Sequence, residues 1–350
     1  MRTFKPPPAA LNPPGGRELS TKKCNRKDEF MKVLCIGHSS WDITVPVDDY
    51  PTENVKYRFN EKYAAGGGPA GNAAYLLGKW GVDTVIATSI GSDDYGTKIK
   101  KEFQSVNVNT DYVETSYEKD TSFSFILVNK KNGSRTVFNV TSEHLPLKKL
   151  TYEFTPDIIL TDGHDYATSQ NAISKYPHAI SVIDAGRPVQ EVIELCKYIK
   201  YIVCSKEFAE TVTGLKMDFN NPQTLVNVYT KLQNKYPNSN IVITLESHGA
   251  LYQVNNQIKI MPGLKCNVVD TTGAGDTFHG AFVYGLANNF DMEKVITLAN
   301  IAAGLSVQKM GSRLAIPTLS DVLEYYTKKM GATQAAPSGE ANTQAPTSGQ

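Results

Sequence analysis

The sequence lacks the features that mark membrane, nucleic-acid-binding and disulfide-stabilised proteins. No apolar run approaches the roughly 18 residues that a membrane-spanning helix needs. The 36 Lys and Arg residues against 35 Asp and Glu leave a net charge of +1, so no overall field favours nucleic acid or an anionic membrane. The five cysteines are scattered, without a CxxC pair or a zinc-like cluster, which is typical of a reducing compartment. We therefore expect a cytoplasmic protein that binds neither nucleic acid nor membrane.

Bulky apolar residues are also scarce at both ends of the chain. Residues 1–30 are rich in Pro, Lys and Arg without the apolar core of a secretory signal, and three interpretations stay open: a leader, an upstream extension or a disordered arm. Residues 330–350 are mostly small and polar. Both ends are predicted to be disordered. The working domain is predicted to span residues 31–329, because Met31 directly precedes the first strand-like run.

Short apolar runs, each ending in Gly, Ser or Asp, recur along this domain at Lys32–Gly37, Val82–Gly91, Asp157–Gly163, Ala179–Gly186, Tyr201–Ser205 and Asn240–Ser247. Uninterrupted Val, Ile and Leu runs indicate strands buried on both faces, as in a parallel sheet. Helical patterns lie between them, at Ala70–Lys79, Val189–Tyr198 and Thr224–Asn234. This alternation predicts an α/β protein with a doubly wound, mostly parallel sheet flanked by helices. Ligands bind such sheets beyond the carboxyl ends of the strands.

Two segments, at about residues 42–63 and 115–140, break the alternation. In the second, Phe123–Val128 and Arg135–Val140 flank an Asn-Gly pair, which is typical of a β-hairpin. The two segments are predicted to form a small antiparallel sheet that projects from the main domain. The pattern leaves open whether this sheet is a lid over the site or an ordinary edge hairpin. Exposed edge strands tend to pair, so the lid sheet also predicts a homodimer.

The strongest local signal is the run DTTGAGDTFHGAF from Asp270 to Phe282. Small residues at 273–275 let backbone N–H groups approach a ligand, and the helical pattern that follows adds the free amides and dipole of a helix N-terminus. Asp276 stands at the opening of this anion site. A carboxylate there would repel phosphate, but it would accept a proton from an alcohol that attacks a phosphoryl group. The alternative is that Asp276 is only an N-cap and the glycines only a tight turn.

This run resembles the C-terminal signature of the PfkB or ribokinase-like family of carbohydrate kinases, and the resemblance extends from Met31 to about Pro317. Near the amino end, Gly66–Asn72 (GGGPAGN) and Leu77–Gly81 (LGKWG) are similar to the family's sugar-binding glycine motif. The resemblance implies a ribokinase-like fold with a lid. It also implies transfer of the γ-phosphate of ATP, with Mg²⁺, to a sugar hydroxyl, and Asp276 as general base.

The resemblance also implies the site residues. Catalysis would involve Gly273, Ala274, Gly275 and Asp276. Sugar binding would involve Asp42, Asp48, Gly67, Gly68, Asn72 and Arg135. Nucleotide binding would involve Thr244, Gly249, Thr272, Gly273, Gly275, Asn300, Ala303 and Gly311, with Arg187 a candidate for phosphate contact. Mg²⁺ would be held through the ATP phosphates with unassigned protein ligands, and K⁺ is a further candidate near Asp270. In the plainer alternatives Asp42 is a cap, Gly66–Gly68 a structural turn, and both arginines are surface charges.

Several details favour the ketohexokinase-like branch of the family. Gly133–Thr136 in the lid and Val47–Pro51 after the first strand resemble that branch. Ser205–Phe208 (SKEF) replaces the family's Asn-x-x-Glu motif, a replacement similar to that in ketohexokinases. Glu246, by contrast, is a departure from the family, because it stands where the nucleotide loop often has glycine, and it leaves the fine structure of the ATP site open. The acceptor stays open between a ketohexose such as fructose, ribose, a nucleoside and a sugar phosphate. A non-catalytic sensor of sugar or nucleotide is the second interpretation, favoured by the altered motif and opposed by the intact run around Asp276.

Overall fold

Thirteen strands and nine α-helices make up the part of the chain that this computed structural model describes, residues 31–140, 147–148 and 151–335. The strands are β1 (Val33–Ile36), β2 (Ser40–Val47), β3 (Tyr63–Gly67), β4 (Thr84–Gly91), β5 (Asn109–Ser116), β6 (Phe123–Asn129), β7 (Arg135–Val140), β8 (Ile158–Thr161), β9 (Ile180–Ala185), β10 (Tyr201–Ser205), β11 (Asn240–Thr244), β12 (Ala250–Val254) and β13 (Gln257–Met261). The helices are α1 (Pro69–Lys79), α2 (Asp94–Ser105), α3 (Tyr166–Lys175), α4 (Gln190–Leu195), α5 (Lys206–Thr213), α6 (Pro222–Lys235), α7 (Ala274–Ala287), α8 (Met292–Ser306) and α9 (Leu319–Ala335).

A nine-stranded sheet in the order β13-β12-β11-β10-β9-β8-β1-β4-β5 forms the centre of the fold. The pairings from β11 to β5 are parallel, and β12 and β13 add an antiparallel edge. Each of the six predicted apolar runs forms a strand, so the mostly parallel sheet is confirmed. The sequence patterns missed β5, β12 and β13. They lie toward the two edges of the sheet, where polar residues interrupt the apolar pattern.

Helices cover both faces of this sheet, as the continuous apolar runs predict. Along β1, Val33 and Cys35 join the core that packs on α1, α7 and α8, while Leu34 and Ile36 face the opposite core with α3. All four residues are completely buried. This alternation follows from the period of two in a strand. The N-termini of α1 and α7 lie at the carboxyl ends of the strands.

A second, four-stranded sheet in the order β3-β2-β6-β7 contains the predicted hairpin. The β2–β3 and β6–β7 pairs are antiparallel, but β2 and β6 run parallel, which differs from the fully antiparallel sheet expected from the sequence. The reason is the connectivity. β2 follows β1 and β6 follows β5 after short loops, and β1 and β5 point the same way in the large sheet. Residues 48–62 connect β2 to β3 without forming a strand.

The ends of the chain fall partly outside the described residues. α9 continues to Ala335, past the predicted domain boundary at Lys329, because the residues that follow Lys329 are compatible with a helix. The predicted disorder of residues 1–30 and 336–350 lies outside the described residues. Among the helices that the structure does describe, none combines the length and the apolar character that crossing a membrane requires.

Candidate active site

The amino end of α7 forms the floor of a cleft at the carboxyl ends of β8, β9 and β10. The residues from Thr272 to Gly275, here called the glycine turn, lead into this helix. Gly273 adopts a left-handed conformation with φ 74°, and a Cβ there would lie 2.8 Å from Cβ of Ser312. The space beside Gly275 is open, with no neighbour within 4 Å of an added Cβ. The Thr272 hydroxyl is buried and, among the described residues, has no hydrogen-bond partner, which suits a ligand at this turn.

Asp276 lies in the first turn of α7 and faces α1. Asn72 Nδ2 donates a 2.7 Å hydrogen bond to its Oδ2. Burial in the cleft raises the pKa of Asp276 above its usual range, although the bond from Asn72 and the charges of His279 and Arg135 act in the opposite direction. The carboxylate is therefore held in one orientation beside the glycine turn, with part of its surface still accessible.

Asp42 is a second buried carboxylate of the cleft, on β2. Its Oδ1 accepts a 2.9 Å hydrogen bond from Ser40 Oγ, and its Oδ2 lies 3.4 Å from Ser312 Oγ. Burial raises the pKa of Asp42, and the hydroxyls of Ser40 and Ser124 and the charge of Arg313 offset part of this effect. A Cβ on Gly67 would lie 2.0 Å from Asp42 Oδ2, so glycine is required where β3 passes this carboxylate. Gly68, which directly precedes Pro69, is the N-cap residue of α1.

Arg313 is a site residue that the sequence patterns did not reveal. Its side chain is 2% exposed and lies behind Asn72, with Nε 3.2 Å from Asn72 Oδ1 and Nη1 2.7 Å from Glu102 Oε2. Its Nη2 lies 3.3 Å from the Gly67 carbonyl oxygen. Arg313 stands in a loop without a recognisable motif, and nothing in the sequence links it to Asn72 or Glu102. Only the packing of α1, α2 and the loop after α8 brings these residues together.

Asp184 and His279 form a further buried pair that was not predicted. His279 Nδ1 lies 3.2 Å from Asp184 Oδ2 and 2.6 Å from the Gly275 carbonyl oxygen. Its Nε2 lies 3.1 Å from the Val203 carbonyl oxygen in β10, so each ring nitrogen faces an acceptor. Burial raises the pKa of Asp184 to about 6, against the opposing charge of His279. The sequence signal was the i, i+3 spacing of Asp276 and His279, which places both on one side of α7.

Arg187 lies in a polar cluster with Asp162, His38 and His164. Asp162 accepts backbone N–H groups of His38, Ala70 and His164 at 2.8, 3.2 and 3.0 Å. Burial opposes its ionisation, but the charge of His164 and these bonds outweigh burial and hold the pKa of Asp162 well below its usual range. His164 stacks on His38 and its Nε2 lies 2.6 Å from Arg187 Nη2. The guanidinium end of the exposed Arg187 side chain is therefore held by the His164 ring.

The predicted nucleotide residues surround the segment from Met261 to Gly263 and the loop after α8. A Cβ on Gly249 would lie 2.0 Å from the Met261 carbonyl oxygen, which also accepts from Asn300 Nδ2 at 3.1 Å. Thr244 ends β11 and its hydroxyl donates to the Cys204 carbonyl oxygen. Ala303 lies half-buried on α8.

Asp270 is buried and joins the glycine turn to the loop after α8. Its Oδ1 accepts from the Thr272 backbone N–H and its Oδ2 from that of Gly311, both at 2.8 Å. This bridge holds Thr272 and Gly311 beside each other. The K⁺ site expected near Asp270 stays a prediction.

Arg135 and Asp48, both predicted sugar contacts, lie in different surroundings. Arg135 Nη1 donates to Thr271 Oγ1 at 2.8 Å, which brings the hairpin against the start of the glycine turn. Asp48 is exposed and its carboxylate lies 3.6 Å from Lys130 Nζ. It follows Asp42 by six strand positions, roughly 20 Å along an extended chain. The structure does not bring Asp48 to Asp42, and its sugar contact stays a prediction.

The segment that replaces the Asn-x-x-Glu motif has a structural role here. Ser205 caps α5 by accepting the Phe208 backbone N–H, and Phe208 is completely buried. Glu210 accepts hydrogen bonds from Lys216 and from the Met217 backbone. Across the described ranges, no group of three or more His, Cys, Asp or Glu residues could hold a metal ion.

Comparison with known proteins identifies relatives along most of the chain. The model of the pfkB family carbohydrate kinases matches residues 31–319. Ribokinase of Staphylococcus aureus (strain COL) is 29% identical over 308 residues, which cover 83% of this chain and 98% of that protein. Two solved structures share the fold. Ribokinase from Cryptococcus neoformans with ADP has a TM-score of 0.72 at 20% identity, covering 85% of this chain and 100% of the other. Arabidopsis thaliana ribokinase with ribose and ATP has a TM-score of 0.69 at 20% identity, covering 85% and 98%.

Proposed function

Since the chain belongs to the pfkB family of carbohydrate kinases, we propose that it transfers the γ-phosphate of ATP to a sugar hydroxyl with Asp276 as general base. The observation that carries this proposal is the position of Asp276 beside the glycine turn, with Oδ2 held by Asn72. Its other oxygen is then available to accept the proton of an attacking hydroxyl. The raised pKa of Asp276 makes its carboxylate a stronger proton acceptor than that of an ordinary aspartate.

The glycine turn supports binding of the transferring phosphoryl group. Open space beside Gly275, the unpartnered Thr272 hydroxyl and the free amides at the start of α7 favour an anion at this point. Asn72, Asp42 and the backbone of Gly67 and Gly68 then offer the donors and acceptors that a sugar needs. Positioning and electrostatic stabilisation would supply most of the acceleration.

Mg²⁺ would enter with ATP and neutralise charge on the phosphates. The described residues provide no three-ligand cage, which fits a Mg²⁺ that is held mainly by phosphate oxygens and water. ATP as the donor also agrees with the cytoplasmic location expected from the sequence.

The contacts between the β6–β7 hairpin and Thr271 support the proposal that the hairpin closes over the site. Arg135 donates to Thr271 Oγ1, and the Gly133 carbonyl oxygen accepts from the Thr271 hydroxyl and backbone N–H at 3.1 and 3.2 Å. These contacts join the β6–β7 turn to the start of the glycine turn. A closed lid would exclude water, which would otherwise compete with the sugar for the phosphoryl group.

The test is ADP release from Mg·ATP with a panel of ribose, fructose, other ketohexoses, nucleosides and sugar phosphates. Relatives named ribokinase make ribose the first acceptor to try, and the lid and VDDYP segments make fructose the second. We expect Asp276→Asn to lower kcat by about 10²–10⁴ with little change in sugar affinity. The matched control, Glu324→Gln on the exposed face of α9, should leave turnover unchanged.

Two results would contradict this proposal. Near-normal turnover of Asp276→Asn would exclude Asp276 as the base. Tight sugar binding in calorimetry without ADP release for any acceptor would favour the sensor interpretation instead.

A further inference from the structure

Arg313 is a buried cation whose guanidinium reaches three separate elements behind the cleft. It contacts Glu102 on α2, the Gly67 carbonyl oxygen on β3 and Asn72 on α1. The rings of Tyr75 and Phe103 lie 5.2 and 4.8 Å from its Cζ. An arginine buried to this degree is stable only with a paired carboxylate and satisfied N–H groups, and Glu102 supplies that carboxylate.

The two neighbours of Asn72 determine which way its amide points. A guanidinium only donates hydrogen bonds and a carboxylate only accepts them. With Arg313 Nε on one side and Asp276 on the other, Asn72 satisfies both only when Oδ1 faces Arg313 and Nδ2 faces Asp276. Without Arg313 only the ionised Asp276 would still favour this orientation, and a flipped amide would be free to accept a hydrogen bond through Oδ1 from the protonated form of Asp276, which stabilises that form.

The glycine motif around residue 66 makes room for this arginine. A Cβ on Gly66 would lie 2.0 Å from Arg313 Nη1, and one on Gly71 would lie 3.1 Å from Nη2. The Gly66 backbone N–H also donates to Glu102 Oε2 at 3.0 Å. Gly66 and Gly71 belong to the segment that was expected to contact sugar, and their lack of a side chain leaves the space that Arg313 occupies.

We propose that Arg313 is a positioning residue, which fixes the Asn72 amide so that Asp276 keeps one oxygen bonded and turns the other toward the acceptor hydroxyl. This inference rests on the proposed function, because it assumes that Asp276 is the base. Asp276 is also influenced by His279 on its own helix, by Asp162 and Asp184 at the carboxyl ends of β8 and β9, by Asp42 on β2 and by Arg135 from the hairpin. Arg313 acts on it through Asn72, since its guanidinium bonds to Asn72 and not to Asp276.

The experiment measures kcat against pH for wild type, Arg313→Gln, Asn72→Ala and the double variant R313Q/N72A. Losing the Asn72 bond should raise the pKa at which kcat falls on the acid side by about one unit, a loss of about tenfold below that pH. We expect Arg313→Gln and Asn72→Ala to produce similar shifts and the double variant to add nothing further. The control Lys328→Gln breaks an exposed ion pair with Glu324 on α9 and should leave the profile unchanged.

Arg313→Gln leaves Glu102 without its partner, and this alone threatens the folding of the variant. R313Q/E102Q removes both charges, and it carries the same expectation for the acid limb. An unmoved acid limb in a folded Arg313 variant, or shifts that add in R313Q/N72A, would overturn the positioning role. Asp276→Asn separates the two ideas: an active Asp276→Asn overturns the proposed base, whereas an inactive one with an unmoved Arg313 profile overturns only the positioning role.

Discussion

At the scale of single residues, burial has the largest influence on the carboxylates around the glycine turn. It raises the pKa of Asp42, Asp184 and Asp276. Asp162 behaves in the opposite way, because His164 and backbone N–H groups stabilise its charge. Neighbouring aspartates in one cleft therefore titrate over different pH ranges, which makes their contributions separable by experiment.

Asp184→Asn should change the pH dependence of stability. The folded pKa of Asp184, about 6, lies above the unfolded value of roughly 3.9, so the folded state favours the protonated form. Its contribution to stability is complete below the unfolded pKa and is lost as pH rises through about 6. Relative to wild type, Asp184→Asn should gain up to about 2 kcal/mol of unfolding free energy between pH 4 and pH 7.

Thermal unfolding of both proteins at several pH values measures this gain. Glu118→Gln on the exposed surface controls for the loss of one negative charge. A difference between wild type and Asp184→Asn that is constant from pH 4 to pH 7 would show that burial does not act on Asp184 in this way.

The backbone conformation of Glu246 leads to a prediction about the stability of the fold. Glu246 is exposed and adopts φ 54°, a left-handed conformation that favours glycine, at the position where the family resemblance implies glycine. Glu246→Gly should raise the unfolding free energy by about 0.5–1 kcal/mol in denaturant titrations. Glu246→Ala keeps the Cβ and should give no comparable gain. Equal effects of the two substitutions would contradict the strain argument.

At the scale of elements, the lid hairpin docks on the segment that precedes the glycine turn. A Cβ on Gly133 would lie 2.6 Å from Val268 Cγ1, so the β6–β7 turn fits closely against this segment. Thr271 supplies both hydroxyl contacts, one from Arg135 and one to Gly133. Both of these side-chain hydrogen bonds between the hairpin and the segment therefore use the Thr271 hydroxyl.

Thr271→Val should weaken lid closure without altering the base. Removing two hydrogen bonds of about 0.5–1.5 kcal/mol each should raise the acceptor KM about three- to tenfold and increase ATP hydrolysis without acceptor. Steady-state kinetics with and without sugar measures both effects. Thr115→Val, at an exposed position of the edge strand β5, is the control. An unchanged KM for Thr271→Val would mean that these contacts do not hold the lid.

At the scale of the whole molecule, the small sheet leaves apolar surface uncovered. Every residue of β7 is exposed, including Val137, Phe138 and Val140 at 46%, 53% and 65%. β7 pairs only with β6, so its outer edge is free within the described part of the chain. A second copy of the chain that pairs with this sheet would cover both features.

Phe138→Lys should shift the chain from dimer to monomer in light scattering, because a charge on this surface opposes its burial. Tyr198→Lys places the same charge at another exposed aromatic position, on the opposite part of the fold, and should not change the mass. A wild-type protein that is monomeric at all concentrations would exclude the homodimer.

The fold and the family were predictable because their signals are local. Six strands of the large sheet are uninterrupted apolar runs, the hairpin carries its Asn-Gly turn, and the run around Asp276 is continuous in sequence. The family is confirmed, while the ketohexokinase branch stays a prediction. The parallel pairing of β2 with β6 was not predicted, because the alternating pattern of a strand does not reveal the direction of the neighbouring strand.

The sequence by itself determined the mostly parallel sheet, the glycine turn and the candidate base at Asp276. Tertiary structure alone decided what surrounds that base. Asn72 lies 204 residues from Asp276, and Arg313 lies 241 residues from Asn72. Strand and turn patterns depend on residues a few positions apart, whereas buried charges depend on which distant partners satisfy them. For this reason the sequence predicts a sugar contact or a structural turn for the glycines near residue 66, and only the packing shows that Gly66 and Gly71 make room for Arg313.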